Sequence, residues 1–152
     1  MLFKKYWLPV LLWMGVIFVM STDLGGAEHT SRIIEPILRW LNPQVTAETI
    51  ERVHFLVRKG GHLTEYAVLA LLVRRAFFQT RTDGGGNGAR ILALTLLVTA
   101  AYAATDEFHQ SFVPGRTAAV GDVLIDTSGG LIALTAATLW RIARPKRPAA
   151  TP

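Results

Sequence analysis

Residues 106–126 gather side chains that can bind ions or transfer protons. The stretch lies between two strongly apolar runs, where an ionisable group costs a few kcal/mol unless it is paired, solvated or neutral. Folding alone therefore does not account for it. Carboxylates accept hydrogen bonds or protons, and a guanidinium binds a phosphate or carboxylate through two parallel bonds. The residues with this chemistry are Asp106, Glu107, Gln110, Arg116, Asp122 and Asp126.

A second polar group begins at Lys59, just before an apolar helix-forming run. His62, Glu65 and Tyr66 follow at spacings of three and four, which place them on one helical face. The same rule pairs residues within the first stretch. Asp106 shares a face with Gln110, and Asp122 shares one with Asp126.

We assign expected roles by chemical type. His62, Glu65 and Asp106 are the expected catalytic residues, because they can transfer protons. Lys59 and Arg116 are expected to hold an anion. The other expected substrate-binding residues are Tyr66, Glu107, Gln110, Asp122 and Asp126.

Each residue also has a purely structural interpretation. His62 and Tyr66 can extend polar tips to water at a membrane surface. Glu65 can pair with Lys59 or Arg116 and so hold helices together. Asp106 and Glu107 can be a solvated helix end, and Asp122 can stabilise a helix N-terminus.

Composition restricts the class of protein. The 152 residues suffice for one domain; 51% are hydrophobic, 18% are charged and the mean hydropathy is +0.33, which favours a membrane protein. The absence of cysteine excludes disulfides, thiol nucleophiles and thiolate metal sites. His62, Glu65, Asp106 and Asp122 are metal-ligand types, but their spacing matches no metal signature, so we expect no metal and no cofactor.

The apolar runs predict an all-α integral membrane four-helix bundle. Lys4 and Lys5 before the first run also suit a signal peptide with a cleavage site near Ala27, but the bulky Trp7 and Trp13 favour a membrane span. A single domain is expected over residues 1–148, with a disordered tail at 149–152. The expected spans are approximately 6–22, 62–78, 91–107 and 120–140.

The segment between the first two spans predicts two short amphipathic helices in the first extracytoplasmic loop. One covers 31–41 and is broken or begun by Pro36; the other begins after Thr46 as N-cap and ends before Gly60-Gly61, which permit a bend or close packing. Residues 79–90 predict a flexible connector. Gly129-Gly130 suit close helix packing in lipid.

The basic residues are distributed unevenly over this topology. Ten fall on the side of both termini and six on the other, while every acidic residue except Asp83 is on or near the second side. The positive-inside rule thus predicts a multi-pass membrane protein with both termini cytoplasmic. It also explains the net charge of +5 without nucleic acid as a partner.

The two polar blocks together resemble the VanZ-like family of small bacterial membrane proteins. They read RKGGHLTEYAVLAL at 58–71 and DEFHQSFVPGRTAAVGDVLIDTSGG at 106–130, and the first span ends in Ser21, which also fits. Many relatives have asparagine where this chain has Asp126. The family is named for a member associated with low-level teicoplanin resistance, so the resemblance implies a role at the cell envelope and leaves the biochemical activity open.

Three classes of function follow from these features. The first is an outward-facing polar pocket that binds or acts on an anionic envelope component, such as a lipid-linked precursor, with an effect on glycopeptide susceptibility. The second is a proton- or ion-coupled transporter, and the third is a non-enzymatic scaffold. The lipid bilayer is the expected partner in each case; the sequence decides neither enzymatic activity nor oligomeric state.

Overall fold

The computed structural model describes residues 2–22, 27–80, 88–114 and 119–144. All regular secondary structure in these ranges is α-helical, as the sequence predicts. The predicted connector and tail lie largely outside the described residues. The helices are α1 (Leu2–Ser21), α2 (Ala27–Leu41), α3 (Ala47–Thr80), α4 (Gly88–Gln110) and α5 (Val120–Ala143).

Three of the described helices are long and apolar enough to cross a membrane. They are α1 from Phe3, α4 and α5, with 19, 23 and 24 residues. The segment of α3 that the sequence predicts as a span contains Glu65, Arg74 and Arg75, and these charges lower its apolar character. The helices are thus those of a membrane protein, with three spans by length and composition.

The helix α3 is one continuous element of 34 residues. The predicted separate amphipathic helix and the bend or close packing at Gly60-Gly61 are therefore wrong, and a Cβ on either glycine would meet nothing within 4 Å. Two helical glycines cost about 1 kcal/mol each, which the packing of so long a helix outweighs. The predicted N-cap is confirmed, because Thr49 N–H donates to Thr46 Oγ1 at 3.2 Å.

The helix α2 continues through Pro36, so the predicted break or start at this proline is also wrong. Pro36 cannot donate to the carbonyl of Arg32, but both residues are exposed, which lets solvent replace the missing donor. Among the described helices α2 packs only against α3. It leaves large apolar side chains exposed at Ile33, Ile37, Trp40 and Leu41.

The helix α3 is the centre of the structure, because it packs against all four other helices. The early part of α3 meets the end of α4 and the start of α5, so these three helices run antiparallel in turn. The start of α1 meets the end of α3, where Trp7 Nε1 donates to Thr80 Oγ1 at 3.3 Å. The buried apolar core consists of Val10, Ile17, Tyr66, Leu69, Val73, Ala76 and Ala103.

The predicted close packing at Gly129-Gly130 is confirmed. A Cβ on Gly129 would overlap the carbonyl oxygen of Leu63 in α3. A Cβ on Gly130 would lie 3.1 Å from Thr99 Cγ2 and 3.3 Å from Ala70 Cβ. These two glycines let α5 approach α3 and α4 closely enough for short side chains to meet between them.

We predict that Gly129→Ala destabilises the fold by about 1–3 kcal/mol, because the methyl group must displace the α3 backbone. Gly60→Ala is the matched control: it adds the same group in open space and should leave stability unchanged or raise it by up to about 1 kcal/mol. Reversible unfolding in detergent, followed by circular dichroism, measures both. Equal stability of the two variants would contradict the close contact of α5 with α3.

Candidate functional site

One end of the bundle contains a group of buried polar side chains, which we call the polar cluster. They come from the early part of α3, the end of α4 and the start of α5, and each is at most 9% exposed. Antiparallel packing brings these three segments together although they are far apart in the sequence. The polar cluster consists of His62, Tyr66, Asp106, Glu107, Gln110, Asp122 and Asp126.

The most buried polar contact joins α3 to α5. His62 Nδ1 lies 3.0 Å from Asp126 Oδ1, and Asp126 is fully buried. A carboxylate is an acceptor, so Nδ1 carries the proton in this contact. The pair fixes the orientation of the imidazole ring and partly satisfies a carboxylate that has no access to solvent.

A second contact between the same helices lies nearer the surface. The Lys59 ammonium forms an ion pair with Asp122 Oδ1, and their side chains are 15% and 12% exposed. The ammonium also lies 5.3 Å from the centre of the Phe55 ring. Lys59 therefore faces the cluster but already has a carboxylate partner.

The end of α4 contributes two carboxylates that each have one bonded oxygen. Gln110 Nε2 donates to Asp106 Oδ2 at 3.0 Å, across the helical face that the sequence spacing predicts. The backbone N–H of Ala119 donates to Glu107 Oε2 at 2.8 Å. Glu107 thus ties the end of α4 to the residue that precedes α5.

Several buried oxygens of the cluster have no hydrogen-bond partner within the described part of the chain. The Tyr66 hydroxyl lies near the Asp106 and Asp126 carboxylates without a well-formed bond to either. A buried polar atom without a partner costs about 1–3 kcal/mol, so donors must come from residues 115–118, water or a ligand. The cluster atoms concerned are Tyr66 Oη, Asp106 Oδ1, Glu107 Oε1 and Asp126 Oδ2.

The described charges of the site are mainly negative. Four carboxylates face one lysine and one histidine, so the cluster is best suited to a ligand that donates hydrogen bonds. Arg116, the residue that the sequence predicts to hold an anion, lies outside the described residues. No group of three acidic or histidine side chains in the described ranges is arranged to hold a metal ion.

Two other polar residues, Glu65 and Ser21, are not members of the polar cluster. Glu65 is half-buried and interacts electrostatically with His62, while its backbone carbonyl accepts the Trp13 indole N–H at 2.8 Å. Ser21 is buried at the end of α1, and its hydroxyl has no partner in the described ranges.

A cavity of about 400 Å³ lies beside the cluster, between α2 and the first turns of α3. Ser31 Oγ and His54 Nδ1 are 3.3 Å apart at its wall. Arg39 and Arg58 also line it, and Arg58 directly precedes Lys59. Glu35 and Glu51 line it too, and Arg39 is paired with Glu35, so Arg58 is the lining arginine that is nearest to the polar cluster in the sequence.

We predict that His62 and Asp126 are energetically coupled. A double-mutant cycle with His62→Ala and Asp126→Ala should give a coupling of about 1–3 kcal/mol, because each single change leaves a buried partner unsatisfied. The exposed pair Arg52 and Glu48, with side chains 75% and 73% exposed, is the control and should couple by less than about 1 kcal/mol. Additive effects at His62 and Asp126 would show that the contact carries no energy.

Comparison with known proteins identifies the family. A family model described as VanZ/LLP1 matches residues 6–141, which include every helix except the first residues of α1 and the last residues of α5. Neither curated proteins nor solved structures give a significant match. The matched range contains both polar blocks and all the helices that build the polar cluster, so the chain belongs to the VanZ/LLP1 family.

Proposed function

We propose that this protein binds the polar head group of an anionic cell-envelope component in its polar cluster and transfers protons there. The observation that carries the proposal is the set of buried oxygens, contributed by α3, α4 and α5, that have no hydrogen-bond partner in the described part of the chain. Three helices that each present such an oxygen at the same end of a bundle suit a ligand with several hydrogen-bond donors.

The proposal includes four membrane helices, with α3 as the fourth. In the part of α3 that the sequence predicts as a span, Glu65 is near the polar cluster, and Arg74 and Arg75 follow about two and a half turns later. The segment between them is apolar, and its residues Leu69, Ala70 and Val73 are buried, whereas Leu71 is exposed. The uneven distribution of basic residues then favours the bacterial inner membrane, with both termini cytoplasmic and the cluster facing outwards.

An envelope precursor that carries both a phosphate and hydroxyl or amide groups matches these side chains. Its donors would reach Asp106 Oδ1, Glu107 Oε1 and Asp126 Oδ2. Its phosphate would meet Lys59 and Arg116, for which a guanidinium offers bidentate geometry. The cavity between α2 and α3, with Arg58 at its wall, gives such a molecule room beside the cluster.

The His62–Asp126 pair supports a role in proton transfer. The Asp126 carboxylate accepts a hydrogen bond from His62 Nδ1 at 3.0 Å, and this bond holds the ring in one orientation. This leaves Nε2 as the position at which the imidazole can accept or release a proton. Asp106 and Glu65 are the other candidates for proton exchange, as the sequence predicts.

The scaffold alternative explains only part of the cluster. Ion pairs such as Lys59–Asp122 do join helices, but a scaffold does not by itself account for cluster oxygens that are buried without a partner in the described ranges. The transporter alternative needs polar groups through the middle of the bundle. The buried hydroxyls of Thr95 and Thr99 there donate to carbonyls of their own helix at 2.7 and 2.8 Å, and so give no pathway.

An influence on glycopeptide susceptibility is the part of the proposal that rests on the family alone. An envelope precursor is also the kind of molecule on which glycopeptide antibiotics act, so a protein that binds it can alter exposure of the drug target. The binding proposal stands without this extension.

We predict that Asp106→Asn removes ligand binding with little loss of stability. The asparagine oxygen can still accept the bond from Gln110, while its amide group replaces the acceptor at Asp106 Oδ1 with a donor. Native mass spectrometry of detergent-purified protein, with a polyprenyl-phosphate-linked sugar as added probe because it carries both hydroxyl donors and a phosphate, should show binding about tenfold or more weaker than in the wild type. The melting temperature should remain close to that of the wild type.

Glu48→Gln is the matched control, since it removes an exposed carboxylate remote from the cluster and should leave binding unchanged. Arg116→Ala tests the anion-holding role in the same assay and should also weaken the binding of the phosphate. If the wild type binds no ligand and the variants are merely less stable, the result would contradict the binding site and favour the scaffold.

A further inference from the structure

Two arginines from different helices meet on one aromatic ring at the end of the bundle opposite the polar cluster. The guanidinium carbons of Arg74 in α3 and Arg141 in α5 lie 5.5 and 5.7 Å from the centre of the Phe78 ring. Arg141 is exposed and Arg74 is half-buried, so solvent screens only part of the repulsion between the two charges. An anion bound between them would offset the remainder.

The arginines line a cavity of about 400 Å³. Its wall also includes Phe78, Leu92 and Thr138, and Gly88 at the start of α4. The N-terminus of a helix carries a partial positive charge, which adds to the field of the two guanidiniums. The cavity is therefore lined by two positive charges and by apolar side chains.

No protein carboxylate compensates this charge within the described residues. Neither arginine has a salt bridge there, and the Nε atom of Arg74 is buried without a hydrogen-bond partner. The described acidic residues all belong to α2, the part of α3 up to Glu65, the end of α4 or the start of α5. A buried guanidinium N–H needs an acceptor, and the protein supplies none from these segments.

We propose that Arg74 and Arg141 bind a phosphate group in this cavity, either that of an anionic phospholipid head group or a free phosphate ion. Two guanidiniums offer several N–H donors in fixed planes, and the aromatic ring holds both planes in place. The apolar walls at Leu92 and Ile142 suit the acyl chain of a lipid. The site lies away from the polar cluster and is separate from the function proposed for it.

Native mass spectrometry of the full chain in a neutral detergent tests this proposal. The probes are phosphatidylglycerol and diacylglycerol with the same acyl chains, which lacks the phosphate. We expect the wild type to retain phosphatidylglycerol in preference to diacylglycerol. Arg74→Gln and Arg141→Gln should each reduce this retention roughly tenfold, the usual effect of losing a hydrogen bond between charged groups.

Arg75→Gln is the matched control, because it removes an adjacent and exposed arginine that faces the Tyr6 ring at 5.4 Å. It should leave the retention within about twofold of the wild type, as a surface charge does. Arg74→Lys is the control for misfolding. Lysine keeps the charge but lacks the planar donors, so this variant should fold normally and bind with intermediate strength.

A second arm distinguishes the source of the phosphate. Inorganic phosphate that displaces the lipid, and binds the wild type alone but neither glutamine variant, assigns the site to a free phosphate ion. Lipid retention that inorganic phosphate does not reduce assigns it to a head group. Equal loss of retention in all three glutamine variants, or no binding of either probe, would overturn the proposal.

Discussion

The cost of burying a charge without a partner is the constraint on which this structure depends. An ionisable group inside an apolar bundle costs several kcal/mol unless another group neutralises or solvates it. In the described chain, the buried carboxylates lie at one end of the bundle, and the two arginines that share the Phe78 ring lie at the other. Between them lie apolar side chains and threonine hydroxyls that bond to their own helices.

The continuous helix α3 links these two chemically different ends. It contributes His62 and Tyr66 to the polar cluster and Arg74 to the basic cavity, and it contacts every other described helix. The close approach of α5 at Gly129 allows short carboxylates such as Asp126 to reach α3. Helix packing and the chemistry of the cluster therefore depend on each other.

Much of this arrangement could be predicted from spacing and composition. The i, i+4 pair Asp106–Gln110, the cap at Thr46 and the small residues of α5 follow local rules that need no tertiary information. The meeting of distant blocks follows from alternating helix direction. The continuity of α3 could not be predicted, because tertiary packing outweighs the local preference of Gly60-Gly61.

The choice of partners was less predictable than the choice of residues. Glu107 bonds to a backbone N–H at Ala119, for which side-chain types give no signal. Lys59 pairs with Asp122 in α5, while its charge alone also allowed Glu65 as its partner. The two arginines could be assigned to one side of the membrane by counting charges, but their meeting at Phe78 depends on how α5 packs beside α3.

The central claim is that the acidic and basic ends of this VanZ/LLP1 protein lie on opposite faces of the membrane. Because the chain has no cysteine, single substitutions can be labelled selectively: Thr117→Cys, three residues before α5 begins in the sequence, and Asn87→Cys, directly before α4 begins. A membrane-impermeant thiol reagent added to intact cells should label Thr117→Cys and should reach Asn87→Cys only after the membrane is opened. Labelling of Thr117→Cys only after opening would contradict the account.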